Sequence, residues 1–178
     1  MKKDIWMPVV SILLAALILF AASAGLSSLG EKNAQRELEE MLHTLLPGSG
    51  SFVPEDYSGE DQSIRALYKS DKGYVVHVVT QGYVGDISML VGIYSDGSVS
   101  GLAIRELEET PGLGGRALRD TGFLSQFLNT TGNASVGENV DALTGATVTS
   151  KAIARGVNSA SAFVTGADAA SGATTWGG

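Results

Sequence analysis

Ile5 to Leu26 is an unbroken run without a charged side chain, built mostly from Ile, Leu, Val, Ala and Phe. A helix needs about 20 apolar residues to cross the hydrocarbon core of a bilayer, and this run supplies them. It therefore sets aside the N-terminus of the 178-residue chain as a membrane segment and leaves the rest for one soluble domain. Pro8 falls in the first turn, where proline is tolerated, and Trp6 suits the headgroup level. A cleaved signal peptide is the competing reading, because Ala22-Ser23-Ala24 has the small-x-small form of a cleavage site. The run exceeds an h-region of about 7–15 residues, which favours a retained anchor. Lys2 and Lys3 lie closer to the span than Lys32 and Arg36. That bias puts the N-terminus in the cytoplasm and the domain outside.

Composition narrows the function classes. The formal net charge of −7 argues against nucleic acid, whose phosphates select Lys- and Arg-rich faces. There is no cysteine, so disulfides, Cys-ligated zinc and Cys-ligated iron–sulfur clusters are excluded for this chain alone. Two histidines, His43 and His77, do not make a His-rich metal site. Redox chemistry would have to come from an organic cofactor or a partner subunit. A hydrophobic fraction of 44 % is enough for a packed core.

Beyond the span, Leu38, Met41, Leu42, Leu45 and Leu46 form one helical stripe, ended by Pro47-Gly48. Gly48 to Gly59 reads as a loop. Strands follow at Ile64 to Lys69, Tyr74 to Thr80, Ile87 to Tyr94 and Val99 to Glu106, separated by Asp71-Lys72-Gly73, Gly82 to Gly85 and the hairpin turn Ser95-Asp96-Gly97. Three or four antiparallel strands are expected. Arg116 to Leu128 reads as a helix, Thr130 to Asn139 as a polar connection and Val140 to Leu143 as a short strand. Ile153, Val157, Ala160 and Val164 share a helical face. Gly166 to Gly178 is small and polar, a flexible tail. The expected class is α+β, a mainly antiparallel sheet with packed helices, preceded by one N-terminal transmembrane helix.

Asp141-Ala142-Leu143-Thr144-Gly145-Ala146-Thr147-Val148-Thr149-Ser150 places four hydroxyl side chains around a glycine, directly before that last helix. The first amides of a helix lack internal acceptors and carry partial positive charge, so an anion is stabilised there. Gly145 and Ala146 keep bulk away from the backbone. Thr144, Thr149 and Ser150 can donate hydrogen bonds, Lys151 adds charge, and Thr147 offers a hydroxyl for covalent attachment of a phosphate. Ordinary N-capping by Thr147 or Thr149 is the alternative. The run lacks the Gly-x4-Gly-Lys spacing of a P-loop, so nucleotide hydrolysis is not supported.

The segment Asp141 to Thr147 resembles the Asp-x-x-(Ser/Thr)-Gly-Ala-(Thr/Ser) signature of the FMN-binding domain family. That family includes the G subunit of the Rnf complex and the C subunit of the sodium-pumping NADH:quinone reductase. The resemblance implies that a flavin transferase takes FMN from FAD and joins its phosphate to Thr147, with Asp141 and Thr144 serving recognition and phosphate holding. Glu109-Thr110-Pro111-Gly112-Leu113-Gly114 is similar to the family's Glu-Thr-Pro-Gly-Leu-Gly loop. Pro-Gly suits the central positions of a type II turn, and Gly112 and Gly114 permit close approach of a flat ring. By resemblance Thr110 and Leu113 are ring contacts. A plain turn would account for this loop alone; paired with the threonine motif in the family's order, it does not. Gln81 to Gly85 also resembles the family's Gly-Tyr-x-Gly segment.

The expected organisation is residues 1–4 in the cytoplasm, an anchor over 5–26, a domain over 31–165 that by resemblance binds FMN, and a tail over 166–178. The implied role is electron transfer as the G subunit of an Rnf-type ion-translocating ferredoxin:NAD oxidoreductase complex. The domain would lie on the extracytoplasmic side of the plasma membrane, with iron–sulfur and flavin subunits as partners and no independent catalysis. Other readings are the quinone-reductase C subunit, usually longer, a free-standing extracytoplasmic flavoprotein, and an unflavinylated structural or adaptor module. Asp168 to Thr174 also fits the transferase signature. Too few residues follow Thr174 to make a helix that would cradle the phosphate, so helical context favours Thr147. Bland readings are assigned to His77 (core edge or surface), His43 (solvated), and Glu106 and Glu108 (solvent-facing). Arg116 is a weak cofactor candidate.

Overall fold

A computed structural model describes residues 33–110 and 113–166. The chain divides into two compact units, Met1–Glu40 and Met41–Gly178. Residues 33–45 are helical (α1), and of the first unit only 33–40 are described. The run Ile5 to Leu26 and the near-copy Asp168 to Thr174 lie outside the described residues. Among the described residues no helix is long and apolar enough to cross a membrane.

The second unit is an α+β fold. Its sheet is a five-stranded meander of β1 (Val53–Glu55), β2 (Ile64–Lys69), β3 (Gly73–Gln81), β4 (Asp86–Tyr94) and β5 (Val99–Leu107), in that spatial order. Every neighbouring pair is antiparallel. Alternation builds the core. Val76 pairs with Val91 and Val78 with Met89, and these side chains, with Ile87 and Ile93, are fully buried on one face. Across that face lies α3 (Thr147–Thr165), whose Ile153, Val157 and Ala160 join the same cluster. Burying a side chain of the Ile or Val type stabilises by roughly 1.5–3 kcal/mol. Gly156 of α3 makes the close approach possible, since a Cβ there would meet Met89 Cε at 2.9 Å.

The other face of the sheet meets the last turn of α1. Leu42, Leu45 and Leu46 are buried, and Ser100 Oγ donates to the Leu45 carbonyl at 2.6 Å. Gly92 and Gly101 give the room, because a Cβ at either would run into Leu45. The Ser95-Asp96-Gly97 turn forms as expected: Gly97 has φ +86°, and Asp96 Oδ1 accepts from Ser98 N at 2.9 Å and Ser98 Oγ at 2.6 Å. Those two bonds hold the Asp96 carboxyl below its ordinary value.

Three local expectations need correction, and one alternative falls away. The sheet has five strands, because β1 forms inside the expected Gly48–Gly59 loop by pairing Val53 to Glu55 against Leu67 to Lys69. Pairing between segments so far apart along the chain is invisible to a local pattern. The expected Arg116–Leu128 helix is instead a 3-10 turn, Gly114–Leu118, followed by a short helix α2, Thr121–Ser125. Asp120 breaks it by capping α2, its side chain accepting from Phe123 N at 3.0 Å. Val140 to Leu143 is not a strand; a single parallel bridge joins Val136 to Val140. Finally α3 starts without side-chain capping by Thr147 or Thr149, for its N-cap is Ala146.

Candidate functional site

The first bond of α3 runs from Ser150 N to Ala146 O at 3.0 Å. The amides of Thr147, Val148 and Thr149 therefore precede any intrahelical acceptor. No side chain caps them, and no acidic residue lies in the first turn. Thr147 is exposed, as are Asp141, Thr144, Gly145 and Lys151. Gly145 has φ +75°, the left-handed region that glycine enters without cost. It turns the chain so that Ala146 packs inward, only 6 % exposed, while Thr147 faces solvent.

The two remaining hydroxyls of the run are buried. Ser150 Oγ donates to Ala146 O at 2.9 Å and accepts from Leu143 N at 3.0 Å. With Ala146 N donating to Leu143 O at 2.9 Å, this makes a closed lattice that fixes the backbone just before Thr147. A serine hydroxyl has one proton, and here it is committed inside the loop. Thr149 is 1 % exposed and faces the glycine loop. A Cβ on Gly114 would lie 2.5 Å from Thr149 Oγ1 and 3.0 Å from Glu109 Oε2, and one on Gly145 would lie 3.1 Å from Leu113 Cδ2. The two motifs, about 30 residues apart in sequence, are thus in contact through glycines that leave no space for a side chain.

Within the glycine loop Thr110 O accepts from Leu113 N and from Gly115 N, each at 3.2 Å. Thr110 is exposed and Leu113 is 45 % exposed. Gly112 lies outside the described residues. Glu109 is half-buried and spans to the β3–β4 turn, where its Oε1 accepts from Tyr83 N at 2.5 Å and Val84 N at 3.3 Å. Gly82 and Gly85 close that turn with a 2.9 Å bond, and a Cβ on Gly82 would collide with the Glu109 carboxylate. Arg155 of α3 donates to Gln81 O at 3.1 Å, tying the helix to the same corner. The hydroxyl run, the glycine loop and the Gln81–Gly85 segment therefore converge at one end of the sheet.

Sequence reasoning missed three contributors. Gln126 Oε1 accepts from Asp141 N at 2.7 Å and so anchors the start of the hydroxyl run. Asn158 on α3 exchanges two 2.9 Å bonds with the Ala134 backbone, steadying the connection that leads to it. Arg119 lines an open depression beside the glycine loop. No local pattern marks Gln126 or Asn158, because each acts across a tertiary contact. His77 is half-buried beside Ser88 Oγ, 2.9 Å away, and burial with the Arg105 and Arg65 charges pushes its pKa down against a smaller opposing effect of Glu106. His43 is exposed and meets Phe52 edge to face at 5.1 Å. Glu106 and Glu108 are exposed.

The site suits a phosphate ester carrying a planar group. It has an exposed threonine, three amides without helical partners, an exposed lysine at 151 and a glycine loop that carries the exposed Leu113. Residues 82–162, which contain all of these parts, match the FMN-binding domain family. The chain is 40 % identical over 110 residues to the G subunit of the proton-translocating ferredoxin:NAD(+) oxidoreductase complex of Clostridium ljungdahlii, covering 55 % of this chain and 59 % of that one. It is 37 % identical over 95 residues to the G subunit of the Na(+)-translocating ferredoxin:NAD(+) oxidoreductase complex of Acetobacterium woodii, covering 48 % and 46 %. The G subunit of the ion-translocating oxidoreductase complex of Methanosarcina acetivorans is 32 % identical over 92 % of this chain and 93 % of its own length. The match thus spans about half the length of the first two relatives and nearly all of the third. The chain belongs to the family formed by the G subunits of ion-translocating oxidoreductase complexes.

Proposed function

We propose that this chain is the electron-transfer subunit of an Rnf-type ion-translocating ferredoxin:NAD oxidoreductase complex. It would carry FMN joined by a phosphodiester to Thr147. The observation that carries this reading is the exposed Thr147 at the uncapped start of α3, next to Gly145, which abuts Leu113, and Thr149, which abuts Gly114. In the attachment step the Thr147 oxygen attacks the FMN phosphorus of FAD, AMP leaves, and the threonine proton passes to solvent. A flavin transferase would catalyse this. Asp141 and Thr144, both exposed, are the positions for transferase recognition and phosphate holding. The amides of Thr147, Val148 and Thr149, which lack helical partners, with Lys151, would then neutralise the remaining phosphate charge.

When bound, FMN supplies reversible one-electron chemistry. The chain's part is to fix and expose it. Thr110 and Leu113 offer a surface to the ring, Gly112 and Gly114 let it come close, and Ser150 holds the attachment loop rigid. The apolar run Ile5 to Leu26 would tether the domain on the extracytoplasmic face, next to membrane partners holding iron–sulfur and flavin centres. A covalent bond prevents loss of the cofactor there.

The test is to co-produce the full chain with a flavin transferase, denature it, and look for flavin fluorescence on a gel. Wild type should fluoresce, and peptide mass mapping should find the FMN adduct on Thr147. Thr147→Val should abolish the signal and Thr174→Val should leave it. A dark wild-type band would sink the carrier reading. Fluorescence surviving Thr147→Val but lost in Thr174→Val would move the site to the near-copy.

A further inference from the structure

Among the described residues seven large apolar side chains are exposed. Four of them, Tyr83, Val84, Leu113 and Val148, belong to the three segments that converge at the site. Single exposed apolar residues are ordinary, whereas their gathering at one place marks a binding surface. Tyr83 is the most exposed of the seven, at 75 %. It is also the only aromatic residue in Gln81–Gly85, Glu109–Gly115 and Asp141–Lys151.

The backbone of Tyr83 is fixed while its ring is not. Glu109 Oε1 accepts from the Tyr83 amide and from Val84 N at 3.3 Å. Gly82 N donates to Gly85 O at 2.9 Å and closes the turn. Among the described residues the Tyr83 ring has no aromatic neighbour and its hydroxyl no hydrogen bond. The turn is joined to the attachment point by a continuous line of contacts. Gly145, two residues before Thr147, abuts Leu113. Leu113 N donates to Thr110 O at 3.2 Å, and the next residue back, Glu109, holds Tyr83. A flat ring carried from Thr147 onto Leu113 and Thr110 therefore arrives beside the Tyr83 turn.

We propose that Tyr83 is the aromatic contact of the isoalloxazine ring, stacking on it as it lies against Thr110 and Leu113. This inference rests on the FMN reading above and adds to it a residue on a separate turn of the sheet. A phenol ring supplies a π face to a flat heterocycle and keeps its hydroxyl in water. Glu109 acts here as a positioning residue: it holds the turn, and through the turn the tyrosine. Stacking also has an optical signature. An excited isoalloxazine takes an electron from an electron-rich ring in contact with it and returns it, so emission is lost with no net chemical change.

The experiment measures time-resolved flavin fluorescence of the full chain in detergent, co-produced with a flavin transferase. In Tyr83→Leu the ratio of short-lived to long-lived emission should fall about two- to tenfold, the range that one aromatic stacking contact sets. Tyr83→Phe keeps the shape but is a poorer electron donor, so its decay should lengthen as well; it also serves should the leucine variant fail to load. Tyr83→Trp, flat and electron-rich, should stay within about twofold of wild type. Tyr83 is exposed, so melting temperature and flavin content by mass should not change. Decays equal to wild type in loaded Tyr83→Leu or Tyr83→Phe would overturn the proposal and leave the FMN reading standing. That outcome includes the case where only electron exchange with partner subunits slows, which would make the tyrosine a partner contact. A wild type that takes up no flavin would overturn this proposal together with the reading beneath it.

Discussion

Ser150 illustrates how much one hydroxyl can hold. It is fully buried, donates to Ala146 O and accepts from Leu143 N. Ser150→Ala leaves the Leu143 amide buried without its acceptor, which costs about 1–3 kcal/mol. Denaturant melts should show that loss, and flavin loading should fall with it, because the backbone before Thr147 loses its brace. His77 makes a prediction of a different kind. Burial and the neighbouring arginines depress its folded pKa below the ordinary 6.5. Between the folded value and 6.5 the unfolded chain binds more protons, so stability rises with pH in that window. Stability should be full above about pH 6.5 and decline as the solution is acidified below it. His77→Gln should flatten that decline in thermal melts taken from about pH 7.5 to 5. A slope unchanged by the substitution would show that other groups set it.

At the scale of elements, the β3–β4 turn, the glycine loop and the first turn of α3 behave as one assembly joined by Glu109. Its carboxylate satisfies two amides of the turn, and its other oxygen abuts Gly114. Glu109→Gln keeps an acceptor in place, whereas Glu109→Ala removes it. The alanine variant should lose about 1 kcal/mol and show faster amide exchange at Tyr83 and Val84. The glutamine variant should stay close to wild type in both. The split between the 3-10 turn and α2 also belongs here. By ending the helix at Asp120, the chain leaves Arg116, Leu118 and Arg119 on the wall of the depression.

For the whole molecule, α3 both packs against the sheet and carries the proposed attachment site. Its buried face of Ile153, Val157 and Ala160 closes the core, while its N-terminus presents Thr147. Ile153→Ala should cost about 2–5 kcal/mol by removing methyl groups from a site with no exposed surface. It should also lower flavin loading even though Ile153 is nearly two turns from Thr147. A variant that melts normally would mean the core relaxes into the cavity.

Much of this was legible in the chain. Strands β2 to β5 and α3 follow from β-branched enrichment between turn signals and from helical periodicity, as in Tyr74 to Thr80 or Ile153 to Ala160. The threonine motif and the glycine loop were legible as candidate parts of one site, and so was the resemblance that links them to flavin. β1 was not, since its three exposed residues pair only because β2 presents an edge. The break at Asp120 was not, since its apolar neighbours fit one helix equally well. Sequence by itself thus determined the elements and the chemical candidates, through local propensity and period. Only the tertiary structure decided which hydroxyls are available. Thr147 faces solvent while Thr149 and Ser150 are sealed against Gly114 and Leu143, and that division depends on contacts between segments about 30 residues apart, which no local pattern encodes.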